Sequence, residues 1–242
     1  MRSLLKRWEQ LPQELQNDSV RPYYEALSRK RGQLLLKRVF DILLSLVLLV
    51  LLSPVMLILA LAIRLDSPGE VLFRQVRVTQ YGQEFRIFKF RTMVANAQQL
   101  GTQVTVQGDM RITRVGKLLR KCRLDELPQL LNILMGQMSF VGTRPEVPCY
   151  VRQYTPQMLA TLLLPAGVTS QASIRYKDED RLLDSSADPD RTYVEQVLPG
   201  KMEYNLNSLL DFSLWQDFKT MVQTVGAVLH QDDNQQSGQG DV

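Results

Sequence analysis

The stretch "KCRLDELPQLLNIL", Lys121 to Leu134, sets two adjacent carboxylates, Asp125 and Glu126, behind a run of cations: Arg111, Arg114, Lys117, Arg120, Lys121 and Arg123. Paired carboxylates can hold a divalent cation, and neighbouring cations can neutralise phosphate oxygens. Lys89 and Arg91 in "FKFRTM" and Arg144 in "VGTRP" add candidate phosphate contacts. Each alone fits a solvated surface charge; together they describe a phosphate or diphosphate site. A plainer reading stands beside this one. Asp125 would cap a helix, Glu126 would favour its first turn, and Pro128 would sit where backbone N–H groups have no intrahelical partner. The two readings are compatible, because the positive end of a helix stabilises an ionised carboxylate and offers donors to a phosphate.

The rest of the composition narrows the chemistry. The chain has one histidine, His230, beside a polar tail, which rules out a histidine-dependent triad or a multi-histidine metal site. Cys122 and Cys149 are too few for a disulfide framework and fit a reducing compartment. Any acid, base or nucleophile is therefore a carboxylate, a hydroxyl or a lysine. With 242 residues and 45% hydrophobic content the chain can build a sizeable core, and its net charge is only +4. Nucleic acid is not an expected partner, since basic and aromatic residues are not interleaved. Anionic lipid headgroups compete for some of the cations.

Among the elements that position these residues, the most distinctive is "VFDILLSLVLLVLLSPVMLILALAI", Val39 to Ile63, with Asp41 its sole charge. Its helical length of roughly 37 Å exceeds a hydrocarbon core of about 30 Å. Basic residues lie on both sides: Arg29, Lys30, Arg31, Lys37 and Arg38 before, Arg64, Arg74, Arg77 and Arg86 after. Positive charge at both ends keeps both ends in the cytoplasm, and Ser53-Pro54 near the midpoint supplies a bend in which the Ser53 hydroxyl can satisfy a freed carbonyl. A kinked spanning helix is the alternative. The expected organisation is a polar, amphipathic helical segment at 1–36 with a break at Arg21-Pro22, a re-entrant membrane helix at 37–64 broken at Ser53 and Pro54, a catalytic domain at 65–230, and a disordered tail at 231–242. Within the domain, "EVLFRQVRV" and "EFRIFKFRTM" predict a β-hairpin, with Ile87, Lys89 and Arg91 on one face. "DELPQLLNILMG" predicts a helix closed by Gly136. "MSFVGTRPEVP" and "LPAGVTSQASI" predict short strands, and about Leu206 to Leu229 an amphipathic helix whose Phe212, Trp215 and Phe218 suit either the core or a membrane surface.

The ordered series "KRVFDILLSLVLLVLLSPVMLILALAIRLDSPGEVLFRQVRV", "FRIFKFRTM", "RITRVGKLLRKCRLDELPQLLNILMGQMSFVGTRPEVP" and "PAGVTSQA" resembles the bacterial sugar transferases, the monotopic phosphoglycosyl transferases. The resemblance covers about Lys37 to Leu229 and implies the compact form, without a preceding multi-span bundle. It implies an α+β, mostly helical fold: a re-entrant membrane helix and a small cytoplasmic catalytic domain with a β-hairpin and interfacial amphipathic helices. The implied reaction transfers a sugar 1-phosphate from a UDP-sugar to undecaprenyl phosphate at the bacterial inner membrane, releasing UMP and initiating glycan assembly. Asp125 and Glu126 match the catalytic dyad, Mg²⁺ is the implied cofactor with the dyad as its ligands, and Arg144 matches a phosphate-binding arginine. Lys89, Arg91, Arg114 and Arg120 are the further candidates for substrate phosphates. Four positions depart from the usual pattern: Thr79, Gln137, Thr143 and Ser170. A non-catalytic membrane scaffold of a polysaccharide assembly system is the rival reading, and whether the chain works as a homodimer stays open.

Overall fold

The structure, a computed structural model, describes residues 5–95, 97, 109–176 and 188–229. His230, the expected tail at 231–242 and much of the two polar connections, 98–108 and 177–187, lie outside the described residues.

Helix α1 (Arg21–Ser28) leads into α2 (Arg31–Asp66), which has 36 residues and so a length of about 54 Å. Pro22 opens α1 instead of breaking the chain, because an early helical position needs no N–H. The most apolar 18-residue window of α2 has a mean hydropathy of 3.1, and only 6% of it is buried. By length and composition α2 can cross a bilayer. It exceeds the expected 37–64, and Ser53-Pro54 does not interrupt it, contrary to the expected break. Pro54 deprives the Val50 carbonyl of its usual donor, and the Ser53 hydroxyl donates to that carbonyl at 2.8 Å, so the helix continues.

One face of α2 is docked from end to end. Near its start Arg38 donates to the carbonyls of Ile133 (2.6 Å) and Leu134 (3.0 Å), and Asp41 accepts from the Phe140 N–H. Leu48, Leu49 and Leu52 pack on Phe85, Ile87, Leu130 and Ile133 at mid-length. Toward the end Ile63 joins Phe90 and Leu119, and Asp66 accepts from the Val115 N–H. The other face, with Leu43, Val47, Val50, Leu57, Ile58 and Leu61, is exposed.

The N-terminal segment is not a separate piece. Leu5, Leu11, Leu15, Val20, Tyr23, Leu27 and Leu34 share one buried cluster with Val78, Leu163, Leu209 and Phe212. Full burial of such side chains is worth about 1.5–3 kcal/mol each, which ties this segment to the body.

The hairpin forms as expected. Strands β1 (Leu72–Val78) and β2 (Glu84–Phe90) pair antiparallel, with Lys89 opposite Phe73. Helix α3 (Arg114–Lys121) and helix α4 (Gln129–Leu134) follow, and Gly136 closes α4 with φ +82°. Strands β3 (Met138–Val141) and β4 (Ala166–Thr169) pair parallel. Gly142, just past β3, and Gly167, inside β4, lie backbone to backbone: a Cβ on Gly167 would overlap the Gly142 backbone, and one on Gly142 would crowd the Pro165 carbonyl. Beyond α5 (Gln171–Arg175), the expected last helix is two: α6 (Leu198–Leu210) and α7 (Leu214–Leu229). Phe212, in the break, is buried in the core, whereas Trp215, Phe218, Val222 and Val225 are exposed along α7.

Three of the unusual positions have side-chain hydrogen bonds, and the fourth a backbone one. The Thr79 hydroxyl donates to the Gln137 carbonyl (2.6 Å) and accepts from the Ala166 N–H (3.1 Å). Gln137 Oε1 accepts from Asn132 Nδ2 (2.7 Å), and Ser170 caps α5 by accepting from the Ser173 N–H. Thr143 contributes its carbonyl to the Gly167 N–H.

Candidate active site

Asp125 and Glu126 lie in a single 3-10 turn, Leu124–Glu126, between α3 and α4. Arg123 precedes it in the left-handed region (φ 55°, ψ 20°), a conformation an L-residue holds at a cost of about 1–3 kcal/mol. The helix-cap reading of Asp125 is corrected here. Pro128 is the N-cap of α4, and the Asp125 side chain makes no capping bond.

The dyad is positioned from β2, α4 and the loop after β3. Asn132, fully buried in α4, accepts from the Phe88 N–H and donates to the Arg86 carbonyl, each at 2.9 Å. This locks α4 to β2 and brings Lys89 against the dyad. Lys89 Nζ lies 3.0 Å from Glu126 Oε1, and Arg144 Nη2 lies 2.5 Å from the same oxygen. Arg77, which the sequence reading did not single out, donates to the Pro145 carbonyl at 3.1 Å and so braces the loop carrying Arg144.

The two carboxylates differ sharply. Burial pushes Glu126 upward, but Arg144 and Lys89 outweigh it and hold the carboxyl well below its ordinary range. Asp125 is buried, and no described residue gives its carboxylate a hydrogen bond. Burial raises its pKa, with Lys89 the chief opposing charge and Glu126 adding to the rise. The largest influence on Asp125 is burial, which opposes its ionised form. Lys89 is itself lowered, mainly by burial, with Glu126 opposing.

The other sequence candidates divide. Arg120 hydrogen-bonds Thr92 Oγ1 at 2.9 Å and contributes to the field at Asp125. Arg91 turns away: it is buried and donates to the Ser67 and Pro68 carbonyls, clamping the turn between α2 and β1. The strand's alternation suggested a shared face with Lys89, but β2 ends at Phe90, before Arg91. Arg114 is exposed at the start of α3 and is not among the chief charges acting on Asp125.

Among the described residues no group of three or more His, Cys, Asp or Glu side chains converges. A protein cage for a metal is therefore not present there. Mg²⁺ commonly takes one or two carboxylates and completes its octahedron with waters and substrate phosphates. The open carboxylate of Asp125 fits that demand, whereas Glu126 Oε1 already faces two cations.

Beside Glu126 and Arg144 opens a cavity of about 260 Å³. Leu48, Leu130, Phe140 and Val168 form much of its wall, and Arg123, Gln129, Thr169, Ser173 and Thr224 also line it. Gln129 was read only as a helix residue; its position directly after Pro128 in "DELPQ" was the available signal.

Comparison with known proteins follows the same lines. The family model described as "Bacterial sugar transferase" matches residues 32–231. The chain is 39% identical over 197 residues to the UDP-N-acetylgalactosamine-undecaprenyl-phosphate N-acetylgalactosaminephosphotransferase of Aeromonas hydrophila, covering 80% of this chain and 44% of that protein. It is 35% identical over 201 residues to the UDP-glucose:undecaprenyl-phosphate glucose-1-phosphate transferase of Caulobacter vibrioides (82% and 71%). With the protein of that same name in Escherichia coli K12 it shares 37% identity over 196 residues (79% and 39%). The chain thus spans less than half the length of the Aeromonas and Escherichia relatives.

Proposed function

The chain belongs to the bacterial sugar transferase family, and from that premise we propose that it transfers a sugar 1-phosphate from a UDP-sugar to undecaprenyl phosphate, with UMP as the other product. One observation carries this reading. A buried carboxylate with no hydrogen-bond partner among the described residues, Asp125, adjoins a carboxylate, Glu126, that anchors two cations.

An incoming nucleotide diphosphate brings negative charge that repels a carboxylate nucleophile, so cations must surround the point of attack. Lys89, Arg120 and Arg144 supply them. The Asp125 carboxylate oxygen attacks the sugar-bearing phosphorus, the bond from that phosphorus to the bridging oxygen breaks, and UMP leaves with the bond's electrons. A phosphate oxygen of the lipid acceptor then attacks the same phosphorus and releases Asp125. Glu126 fixes Lys89 and Arg144 in place throughout. Mg²⁺ would be held at the Asp125 side of the dyad and would supply charge neutralisation.

The acceptor is lipid-linked, and both termini of α2 are tied to the same body through Arg38, Asp41, Ile63 and Asp66. A straight crossing would draw that body into the hydrocarbon. We therefore place α2 as a re-entrant or in-plane element of the inner membrane, with the active site at the cytoplasmic surface and α7 lying on it through Trp215 and Phe218. Single cysteines at Lys30 and Ala95 should label from the same side of the membrane; labelling from opposite sides would sink this topology.

The catalytic reading is tested with UDP-sugar labelled in its β-phosphate and no acceptor. Label should stay on the protein after rapid quenching, and UMP should appear. Release of UDP in place of UMP would mean ordinary glycosyl transfer.

A further inference from the structure

Three buried polar side chains form a relay that the proposed reaction leaves unused. Lys201 of α6 donates to the Tyr193 hydroxyl at 3.0 Å, and that hydroxyl donates to Glu146 Oε1 at 2.5 Å. Lys201 Nζ stands 4.0 Å from the same Glu146 oxygen, and all three side chains are buried. Burying an ion pair sacrifices hydration that its attraction often fails to recover, so stability alone is a weak reason for this one. Tyr193 opens a single turn of π-helix, Tyr193–Val197, directly ahead of α6, and such turns are frequent at functional sites. Its ring is fixed as well. It lies 5.0 Å from the Tyr150 ring, whose hydroxyl donates to Asp190.

The relay ends on the loop that carries Arg144. Along this loop the Thr143 carbonyl accepts from the Gly167 N–H at 2.8 Å, the Pro145 carbonyl from Arg77 at 3.1 Å, and the Glu146 carbonyl from the Val78 N–H at 2.9 Å. Its backbone is thus fastened to β4 on one side and β1 on the other, and the Tyr193 hydroxyl holds the Glu146 side chain from a third direction. We infer that Glu146 and Tyr193 are positioning residues for Arg144. The Tyr193 hydroxyl, oriented by Lys201, fixes Glu146 and with it the backbone from which Arg144 reaches Glu126 and the point of attack. Glu126 grips the guanidinium from the front, and the relay grips its loop from behind. A charge displaced by about 1 Å can cost about 100-fold in rate, so a small tilt of this loop matters to turnover. The kinetic part of the inference rests on the transfer reaction proposed above.

Two measurements on the full chain test it. The first compares variants by UMP release per folded molecule. Tyr193→Phe keeps the ring against Tyr150 and removes only the bridging oxygen. Its kcat should fall about 10-fold while the KM for UDP-sugar moves by less than about two-fold, because a misdirected charge is missed most in the transition state. Glu146→Gln keeps an oxygen to accept from Tyr193 but removes the charge facing Lys201. It should therefore lower the melting temperature more than Tyr193→Phe does, yet hold kcat within about three-fold of the natural chain. A purely structural role predicts the opposite ranking, with activity following stability, and that result would overturn the assignment. In an Arg144→Ala background Tyr193→Phe should cost no further kcat; a second full loss would mean that Tyr193 does not act through Arg144. The second measurement needs no turnover. In hydrogen exchange read by mass spectrometry, the Val78 and Gly167 amides, whose acceptors lie on the Arg144 loop, should exchange about 10-fold faster in Tyr193→Phe. The Phe88 amide, bonded to Asn132, should not change. Unaltered exchange at Val78 and Gly167 would sink the positioning role even if activity fell. If the natural chain transfers nothing from any UDP-sugar, the proposed reaction fails, and the exchange measurement decides the positioning by itself.

Discussion

Two buried ion-pair clusters in this molecule have opposite characters. In the first, Lys37 of α2 bonds Asp217 of α7 at 2.6 Å and the Val141 carbonyl at 2.9 Å, so helix, helix and strand are fastened at one point. In the second, Glu126 anchors Lys89 and Arg144, yet among the described residues Asp125 beside it has no hydrogen bond and Gln129 no amide partner. The second cluster opens onto a cavity of about 260 Å³. The contrast separates a joint from a site: a joint satisfies its polar groups internally, and a site leaves some for the substrate.

The sharpest way to break this comparison is Asp125→Asn. Transfer and adduct formation should fall by about 10⁴-fold or more, as when a nucleophile is lost, and the melting temperature should not drop, because an uncompensated buried carboxylate is removed. Comparable activity in the variant, measured as UMP release, would return Asp125 to an ordinary structural role.

Arg144→Ala comes next. Turnover should fall about 10²–10³-fold through lost charge stabilisation, and the protein should also lose about 3 kcal/mol in denaturant unfolding, because Glu126 keeps only Lys89 as a close partner. Lys37→Ala, at the joint, should cost a similar 3 kcal/mol while turnover per folded molecule stays near normal. Equal catalytic damage from Arg144→Ala and Lys37→Ala would erase the distinction.

The pH dependence sharpens it further. Asp125 must be ionised to attack, and its pKa is raised by burial, so the acid limb of adduct formation should lie above the usual aspartate value of about 3.9. Glu126 is depressed; its contribution to stability is present above an unfolded value of about 4.3 and is lost as pH falls through the folded one. Asp125 has the reverse sign, stabilising the fold when protonated and losing that contribution as pH rises through its folded pKa. Activity should therefore fail at a higher pH than folding does, in rate and unfolding titrations run side by side.

The smallest effect belongs to Ser53→Ala, which removes the bond to the Val50 carbonyl and should cost about 1 kcal/mol, with little change in turnover.

Much of this was legible in the residues. The run from Val39 to Ile63 announces a membrane helix by composition, and Ser53-Pro54 announces its own repair because a hydroxyl one residue before a proline lies within reach of the freed carbonyl. The hairpin and the dyad with its cations were equally local, since each depends on the spacing of neighbours along the chain. What the tertiary structure decided was which charges meet. Lys89, Glu126 and Arg144 converge only because Asn132 joins α4 to β2 and Gly142 lies against Gly167. Nothing in the spacing of Arg91 distinguishes it from Lys89, yet one clamps a turn and the other faces the dyad. The inward packing of the N-terminal segment and the split of the last helix also depend on partners far away in sequence. The burial of Asp125 is of the same kind: a sequence shows a carboxylate near a helix start, and only packing shows how far it is withdrawn from water.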